Sequence, residues 1–259
     1  MPSAADSQTP RWDLGRAALV VAHPDDEVLW FSAVLSQVGQ RVVCFEACDD
    51  YPALGPARRK LAAAYPAALP TRWLRVPEPC SLGMVDWSRP VATRYGLALS
   101  AAGATEPARA RQRAAYDEVR GALSATLASA TDVITHNPWG EYGHPDHALV
   151  CSAVESLADE LGYRVWYSSY VAAKPLPYAA TVLDQLAAGP SLAPDRAVID
   201  QLVPLYRQAG CWTWMWPYTV PASEAYLYRH GERRRPGRAL SLTYVTMPAG
   251  AAPRPRGRG

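Results

Sequence analysis

The feature that most limits the folds open to this chain is a regular alternation of short apolar runs with helical patterns. Strand-like runs lie at residues 17–22, 41–47, 72–76, 132–136 and 164–170, and helical patterns lie at 27–38, 56–68, 108–128 and 146–161. Runs such as ALVVA and DVIT are apolar on both faces, as a parallel sheet covered by helices requires. The pattern predicts an α/β fold with a Rossmann-like, mostly parallel sheet and helices on both faces.

The extent of the folded region follows from composition. With 259 residues, of which 49% are hydrophobic, the chain can bury a large core, and we expect a single domain over residues 15–248. The flanking residues 1–14 and 249–259 are expected to be disordered, because they hold too little apolar surface to order themselves.

Two stretches interrupt the alternation. Residues 77–107 are long and irregular, which in a compact domain indicates a functional loop or a small excursion. Residues 206–228 are rich in aromatic side chains, and four of these alternate as in a half-buried strand: Trp212, Trp214, Trp216 and Tyr218. Such aromatics pack in a core, form a sheet edge or line a ligand pocket, and the pattern leaves these alternatives open.

The charge and apolar content of the chain limit the kinds of partner and the compartment that we expect. The formal net charge is +2, with much of the basic excess at residues 229–238 and at the C-terminal end, so we expect no nucleic-acid groove. No run approaches the roughly 20 apolar residues that span a bilayer, and the N-terminus lacks a signal-peptide pattern. We therefore expect a soluble, cytoplasmic protein, and the sequence is compatible with a homo-oligomer.

The cysteines predict the redox state of the compartment. An odd set of cysteines without CxxC spacing predicts free thiols in a reducing compartment: Cys44, Cys48, Cys80, Cys151 and Cys211.

Two polar loops directly follow apolar strands. Residues 20–27 read VVAHPDDE, and residues 135–147 read THNPWGEYGHPDH. In an open parallel sheet, ligands bind outside the carboxyl ends of the strands, so the two loops can converge. His23, Asp26 and His147 would then hold a divalent cation with nitrogen and oxygen ligands and a position left open for water. That arrangement is expected of a catalytic zinc, with Fe²⁺ as the alternative metal.

Other residues of these loops supply the remaining chemistry. Asp25, beside the presumed ligands, is the natural general base, because zinc lowers the pKa of its bound water toward roughly 7. His144 would donate to the developing oxyanion or to the leaving amine. Asp146 would orient an imidazole, and Tyr142 would offer a second donor. The predicted reaction is metal-assisted amide hydrolysis.

The two motifs resemble a known family. VVAHPDDE followed by GHPDH on a Rossmann-like chain is similar to the zinc-dependent N-acetyl de-N-acetylases (LmbE-like or PIG-L), which include glycosylphosphatidylinositol-pathway, mycothiol-pathway and glycopeptide-antibiotic enzymes. The resemblance covers residues 17–47 and 132–155, and more loosely LYRQ at 205–208 and SEAYLYR at 223–229. It implies hydrolysis of an N-acyl, most plausibly N-acetyl, amide on an amino sugar or a small natural-product intermediate.

The same resemblance implies roles for individual residues. Zinc would be bound by His23, Asp26 and His147, with Asp25 as the general base. His144 would be the charge-stabilising or acid histidine. Tyr142 would be the mobile tyrosine near the oxyanion.

Residues that would contact the N-acylated small-molecule substrate are less constrained. Trp139 and Glu141 lie inside the second loop, so we expect them to contact it, and Trp214 is expected to line the pocket. Asp49 follows a strand and would bind a hydroxyl-rich ligand or form an ordinary solvated turn.

The family often carries an Arg-x-x-Glu pair on its second helix, which survives in this chain at most as Arg58 or Arg59 without the acidic partner. Arg58 is the one expected to contact the substrate. This departure and the Trp-rich segment favour a larger or more apolar substrate than a simple sugar.

Other interpretations also account for parts of the two polar loops. A lone HPDDE could be a helix-capping turn. Two histidines and a carboxylate also describe the facial triad of iron(II) oxygenases, but that class needs a β-barrel. A nucleotide site is unfavourable, because carboxylates in AHPDDE would face the phosphates where GxGxxG is expected. A catalytically silent binding module of the same fold remains as the alternative, although such a module needs no base at Asp25.

Overall fold

The computed structural model of the protein describes residues 12–214, 217–229, 240 and 242–246. Residues 1–11 of the expected N-terminal tail, the expected tail at 249–259, the aromatic Trp216 and most of the basic run at 229–238 lie outside these residues. The described residues begin at Trp12, within the expected N-terminal tail at residues 1–14. The Trp12 ring packs edge-on against Trp166 and Tyr226, with 4.8 Å between ring centroids in each pair.

The helices and strands alternate along most of the described chain. The strands are β1 (Ala17–Val21), β2 (Gln40–Ala47), β3 (Arg72–Pro77), β4 (Ala92–Thr93), β5 (Gly96–Leu97), β6 (Asp132–Thr135), β7 (Arg164–Ser168), β8 (Tyr170–Ala172), β9 (Leu186–Leu192), β10 (Glu224–Arg229) and β11 (Thr243–Val245). The α-helices are α1 (Asp26–Leu35), α2 (Leu54–Ala64), α3 (Glu106–Thr126), α4 (Pro145–Leu161), α5 (Leu176–Val182) and α6 (Arg196–Ala209).

A seven-stranded sheet forms the centre of the fold. Its order is β3-β2-β1-β6-β7-β10-β9, with the first five strands parallel and the last two antiparallel to their neighbours. Every residue of β1 and β6 is buried, because helices cover both faces of the sheet. One core layer lies under α3 and α4, and the other lies under α1 and α6. The prediction of a Rossmann-like, mostly parallel α/β fold is confirmed.

Sequence periodicity left part of the chain unassigned. The elements α5, β9 and α6 were not predicted, and residues 77–107 contain a short β4–β5 hairpin ahead of α3. The alternating aromatics do not form a strand within residues 211–214 and 217–218. Instead, α6 ends before a left-handed Gly210, with φ of 76°. The chain then passes the N-terminus of α1, where Thr213 bonds to Asp25. Within the described residues, no helix is both long enough and apolar enough to cross a membrane.

The expectation of five free thiols is wrong for one pair. Cys48 and Cys80 form a disulfide, with their Cα atoms 5.8 Å apart and 32 positions apart in sequence. Cys48 follows β2 and Cys80 follows β3, and these strands are parallel neighbours. Adjacent parallel strands bring residues after their carboxyl ends together, which spacing along the sequence does not reveal. The other three cysteines are free and buried.

Candidate metal centre

The two polar loops meet at the carboxyl edge of the sheet. β1 and β6 are hydrogen-bonded neighbours, with Val20 opposite Thr135, so the loops that follow them lie side by side. The first loop turns sharply at Asp25, whose φ is 94°, and α1 begins at the next residue. In the second loop His144 caps α4, its Nδ1 accepting the backbone N–H of Asp146 at 3.2 Å.

Both proposed imidazole ligands contact the proposed carboxylate ligand, each at a different oxygen. His23 Nδ1 lies 3.2 Å from Asp26 Oδ2, and His147 Nε2 lies 3.3 Å from Asp26 Oδ1. All three side chains are buried. Trp30 lies one turn after Asp26 on α1, and its Nε1 donates to Asp26 Oδ1 at 3.1 Å. This hydrogen bond restrains the Asp26 carboxylate.

The donor set fits a divalent cation. His147 Nδ1 lies 2.7 Å from Glu141 Oε2, so it carries the proton and leaves Nε2 with a lone pair. That Nε2 is buried without a hydrogen-bond partner among the described residues, and it faces a carboxylate oxygen. Burial opposes ionisation of Asp26, but His147 and two further imidazoles hold its pKa well below the ordinary value. A lone pair and an ionised oxygen at this distance require a proton or a cation between them.

Further nitrogen and oxygen atoms are close enough to share such a site. His144 joins His23 and His147 within 4.8 Å, and His136 joins Asp26 and His147 in the same way. His136 Nε2, however, accepts the backbone N–H of Ala22 at 2.9 Å, which occupies its lone pair. His136 therefore contacts the proposed ligands His147 and Asp26 but is not itself available as a ligand.

A separate set of charged side chains lies behind His23. Its Nε2 is 3.4 Å from Asp146 Oδ2 and 3.6 Å from Glu78 Oε1, so the Nε2 proton faces carboxylates and Nδ1 faces Asp26. Ser81 donates to the other oxygen of Asp146. Arg58 Nη1 donates to Glu78 Oε2 at 2.8 Å. Asp146 thus contacts the imidazole of His23, and only its backbone contacts His144.

Asp25 is held next to this centre by a distant part of the chain. The backbone N–H and the hydroxyl of Thr213 both donate to Asp25 Oδ2, at 2.7 and 2.9 Å. Burial and the neighbouring Asp26 carboxylate raise the pKa of Asp25 to about 8. Glu27 accepts the backbone N–H of Asp25 at 3.1 Å, which supports the left-handed turn. Glu27 is itself bound by two phenols, Tyr65 and Tyr206.

His144 and Tyr142 border the same centre. The His144 ring stacks on His147, with 4.7 Å between centroids, and burial lowers its pKa well below the ordinary value. Since its Nδ1 accepts a backbone N–H, a neutral His144 carries its proton on Nε2. The Tyr142 ring lies edge-on to both His144 and His147. Burial raises the pKa of Tyr142 well above the ordinary value, so its phenol keeps its proton.

The residues expected to contact substrate fall into different environments. Trp139 is fully buried and donates to the Tyr170 carbonyl, so it packs in the core. Glu141 is fully buried behind His147, and Asp49 is exposed in the turn after β2. Trp214 is half-buried against Trp30 and Tyr142, at the edge of the site. The structure therefore places Trp139 and Glu141 away from any ligand surface, because their polar atoms are already bonded internally.

Arg58 also differs from its expected role. It is buried on α2 and engaged with Glu78 and with the Glu46 carbonyl, so its guanidinium faces protein groups. Helix α2 carries no acidic partner for Arg58, and Glu78, directly after β3, supplies one. Arg59 pairs with Glu46 at 3.1 Å, on a more exposed face.

Four residues of the site were not identified from the sequence: Glu78, Ser81, His136 and Thr213. Glu78 follows β3, the second neighbour of β1, so the rule that placed the two loops at the carboxyl edge could have found it. His136 is the residue after β6 and was visible as a further imidazole of the second loop. No local pattern marks Ser81 or Thr213, because only folding brings them to Asp146 and Asp25.

Comparison with known proteins supports the fold. No protein-family model matches the chain, and no curated protein sequence matches it. The zinc-inhibited form of teicoplanin deacetylase Orf2 is similar, with 17% identity, a TM-score of 0.50, and 83% of this chain and 99% of that chain covered. The A40926 pseudoaglycone deacetylase Dbv21 aligns with 18% identity and a TM-score of 0.41, over 84% of this chain and 97% of its own. At these identities the likeness to Orf2 extends to the α/β fold.

Proposed function

We propose that this protein is a metal-dependent amide hydrolase that removes an acyl group, most plausibly acetyl, from the nitrogen of an amino sugar or a small natural-product intermediate. Zn²⁺, or alternatively Fe²⁺, would be held by His23, Asp26 and His147. The observation that carries the proposal is the buried, unpartnered Nε2 of His147, which faces Asp26 Oδ1 at 3.3 Å. Nitrogen and carboxylate ligands with room for water are typical of catalytic rather than structural zinc.

The proposed proton acceptor is Asp25. A divalent ion at this centre would polarise the substrate carbonyl and acidify a bound water. Thr213 occupies Oδ2 of Asp25 with two hydrogen bonds, and Oδ1 lies outside those bonds. Oδ1 would take the proton of the attacking water. A bound cation would lower the raised pKa of Asp25, so that the carboxylate is ionised and able to accept the proton. A binding module would have no use for such a base.

Two donors would stabilise the oxygen of the scissile amide. The neutral His144 carries its proton on Nε2, and the protonated phenol of Tyr142 lies edge-on to it. Both groups can donate a hydrogen bond without first losing charge, and such preorganised donors are most effective where water is excluded. Protonation of the leaving amine by His144 would need the imidazolium form, which burial disfavours, so Asp25 would pass the proton of the attacking water on to the amine.

The substrate would be larger or more apolar than a simple sugar. Arg58 is buried against Glu78 and the Glu46 carbonyl and so does not face a sugar hydroxyl. Trp214 is half-buried beside Tyr142 and the buried Trp30, and adds an aromatic surface at the edge of the site. The similar protein Orf2 is a teicoplanin deacetylase, and N-acylated compounds related to teicoplanin therefore belong in a substrate screen.

The test is a screen for release of free amine from N-acetylated amino sugars, aminoacyl compounds and glycopeptides, with and without chelator. Asp25→Asn should lower kcat about 10²–10⁴-fold, the usual contribution of a general base, and should leave zinc affinity nearly unchanged. Full activity in Asp25→Asn would exclude this base.

His147→Ala provides the complementary measurement. It removes a direct ligand, so we expect the purified variant to lose stoichiometric metal, as measured by elemental analysis. Wild-type protein without stoichiometric zinc or iron, or amine release that a chelator does not reduce, would favour the binding-module alternative.

A further inference from the structure

Glu141 gathers an unusual number of donors for one buried carboxylate. The Nδ1 atoms of His147 and His136 lie 2.7 and 3.1 Å from Oε2. The backbone N–H of Asn137 donates to Oε1 at 3.2 Å, and the Ser168 hydroxyl donates to the same oxygen. Glu141 is fully buried, and its φ is 51°, in the left-handed region. Its side chain therefore points into the protein because the backbone is turned to place it there.

Three of the four partners are already committed to donating to Glu141, and the backbone N–H of Asn137 is one of them. Ser168 Oγ accepts a hydrogen bond from Asn137 Nδ2 at 2.9 Å, which directs its own proton toward Glu141. His136 Nε2 accepts the backbone N–H of Ala22, so a neutral His136 carries its proton on Nδ1. An ionised carboxylate accepts at both oxygens, and no other side chain of this size does so.

We propose that Glu141 is a positioning residue that holds the proton of His147 on Nδ1 and thereby keeps the Nε2 lone pair aimed at the metal. This proposal rests on the metal-binding function proposed above. A carboxylate behind a ligand histidine fixes the ring orientation and raises the basicity of the metal-facing nitrogen. His136 is the second imidazole on the same oxygen, and its ring stacks on His147 at 3.9 Å between centroids. Rotation of His147 away from the centre would break its bond to Glu141 and disturb this stack.

Replacing the carboxylate by an amide separates this role from packing. In Glu141→Gln the side chain keeps its size but has one accepting and one donating end. If the amide oxygen faces Ser168 and Asn137, the NH₂ group faces Nδ1 of both histidines. His147 must then move its proton to Nε2, the atom that would bind the metal. The opposite orientation leaves two donors facing an NH₂ group.

Zinc affinity is the first measurement, made on the full chain by competition with a chromophoric chelator. Glu141→Gln should bind zinc about 10–100-fold more weakly than wild type, as expected for loss of an outer carboxylate. Glu224→Gln is the matched control, because Glu224 is also a buried carboxylate, with donors from Ser32, Ala33 and Tyr226. The control should stay within about threefold of wild type, since it contacts none of the histidines. Equal zinc affinities in wild type and Glu141→Gln would overturn the proposal.

The second measurement reads the tautomer directly and needs neither substrate nor metal. In metal-free wild type under mildly alkaline conditions, nitrogen NMR of the imidazoles should place the His147 proton on Nδ1, and in Glu141→Gln on Nε2. A wild-type His147 protonated on Nε2 would refute the role of Glu141 even if the variant failed to fold. Wild type that binds no zinc but has the Nδ1 proton would contradict the proposed function and leave the positioning by Glu141 standing.

Discussion

The two histidines at the candidate metal centre are supported in different ways. Behind His147 the carboxylate is Glu141, six residues earlier in the same loop. Behind His23 the carboxylates are Asp146, on α4, and Glu78, after β3. The first arrangement is enclosed and depends on one acceptor, whereas the second has two acceptors and a compensating Arg58. The carboxylate behind His147 therefore comes from the same loop as the histidine, whereas the carboxylates behind His23 come from two other segments of the chain.

This difference predicts that damage to long-range connections should weaken the His23 half and spare the His147 half. The disulfide between Cys48 and Cys80 is the strongest of these connections, since Glu78 and Ser81 flank Cys80 on either side. The second loop has no such covalent tie and is held by hydrogen bonds, both within the loop and to Ser168 and Tyr170.

The largest expected effect follows from removing the disulfide. A double Cys48→Ala, Cys80→Ala variant frees a loop of 32 residues, and chain entropy predicts a loss of about 3–4 kcal/mol in the free energy of unfolding. Denaturant titration measures that loss. Hydrogen exchange should accelerate at residues 78–81 and remain nearly unchanged at 137–147.

Controls for that variant come from the chain itself. Cys211→Ala removes a buried free thiol and should leave exchange at residues 78–81 unchanged. A reductant should destabilise wild type and have no effect on the double variant. Equal acceleration of exchange in both halves of the site would remove the distinction between them.

A smaller effect is expected from Asp146→Asn. The remaining carbonyl oxygen can still accept the Ser81 hydroxyl, and the Nε2 proton of His23 can turn to Glu78, 3.6 Å away. We therefore expect zinc affinity to fall about tenfold, at the lower end of the range for outer carboxylates, and less than in Glu141→Gln. Chelator competition under identical conditions compares the two variants. A larger loss in Asp146→Asn would mean that Glu78 does not act as a second acceptor.

The smallest expected effect concerns Thr213, which extends the long-range dependence to Asp25. Thr213→Val removes the hydroxyl and keeps the backbone N–H, so one of two hydrogen bonds to Oδ2 is lost. A hydrogen bond of this kind contributes about 0.5–1.5 kcal/mol, which corresponds to a decrease in kcat of up to roughly tenfold. Thr213→Ser should restore the rate. A change in zinc affinity rather than in kcat would show that Thr213 acts on the metal half instead.

Much of the fold was accessible from residue patterns. Runs such as ALVVA and DVIT predicted buried parallel strands, and β1 and β6 are neighbours at the centre of the sheet. The later elements α5 and β9 were not predicted, because their segments lack a clear apolar period. The aromatic alternation at 212–218 was misleading as a strand signal. Trp212, Trp214 and Tyr218 pack against α1, against α6 or against one another, so the spacing of these three rings reflects packing without a strand.

The candidate site shows the same division. VVAHPDDE and GHPDH directed attention to His23, Asp26 and His147, since polar loops after apolar parallel strands meet at one edge. Expectations for individual neighbours were less accurate. Glu141, expected to contact substrate, is buried behind His147, and the imidazole that Asp146 contacts with its side chain is that of His23. Sequence spacing identifies which loops converge but does not specify which side of a ring each carboxylate contacts.

By itself, the sequence determined the α/β class, the two converging loops and the chemical types that they carry. These follow from local rules, because strand burial, helix starts and loop placement depend on residues close in the chain. Only the tertiary structure decided the Cys48–Cys80 bond, the charges behind His23 and the contact between Thr213 and Asp25. Each of these joins residues far apart in sequence, and their distances depend on how the sheet is ordered and how its loops pack.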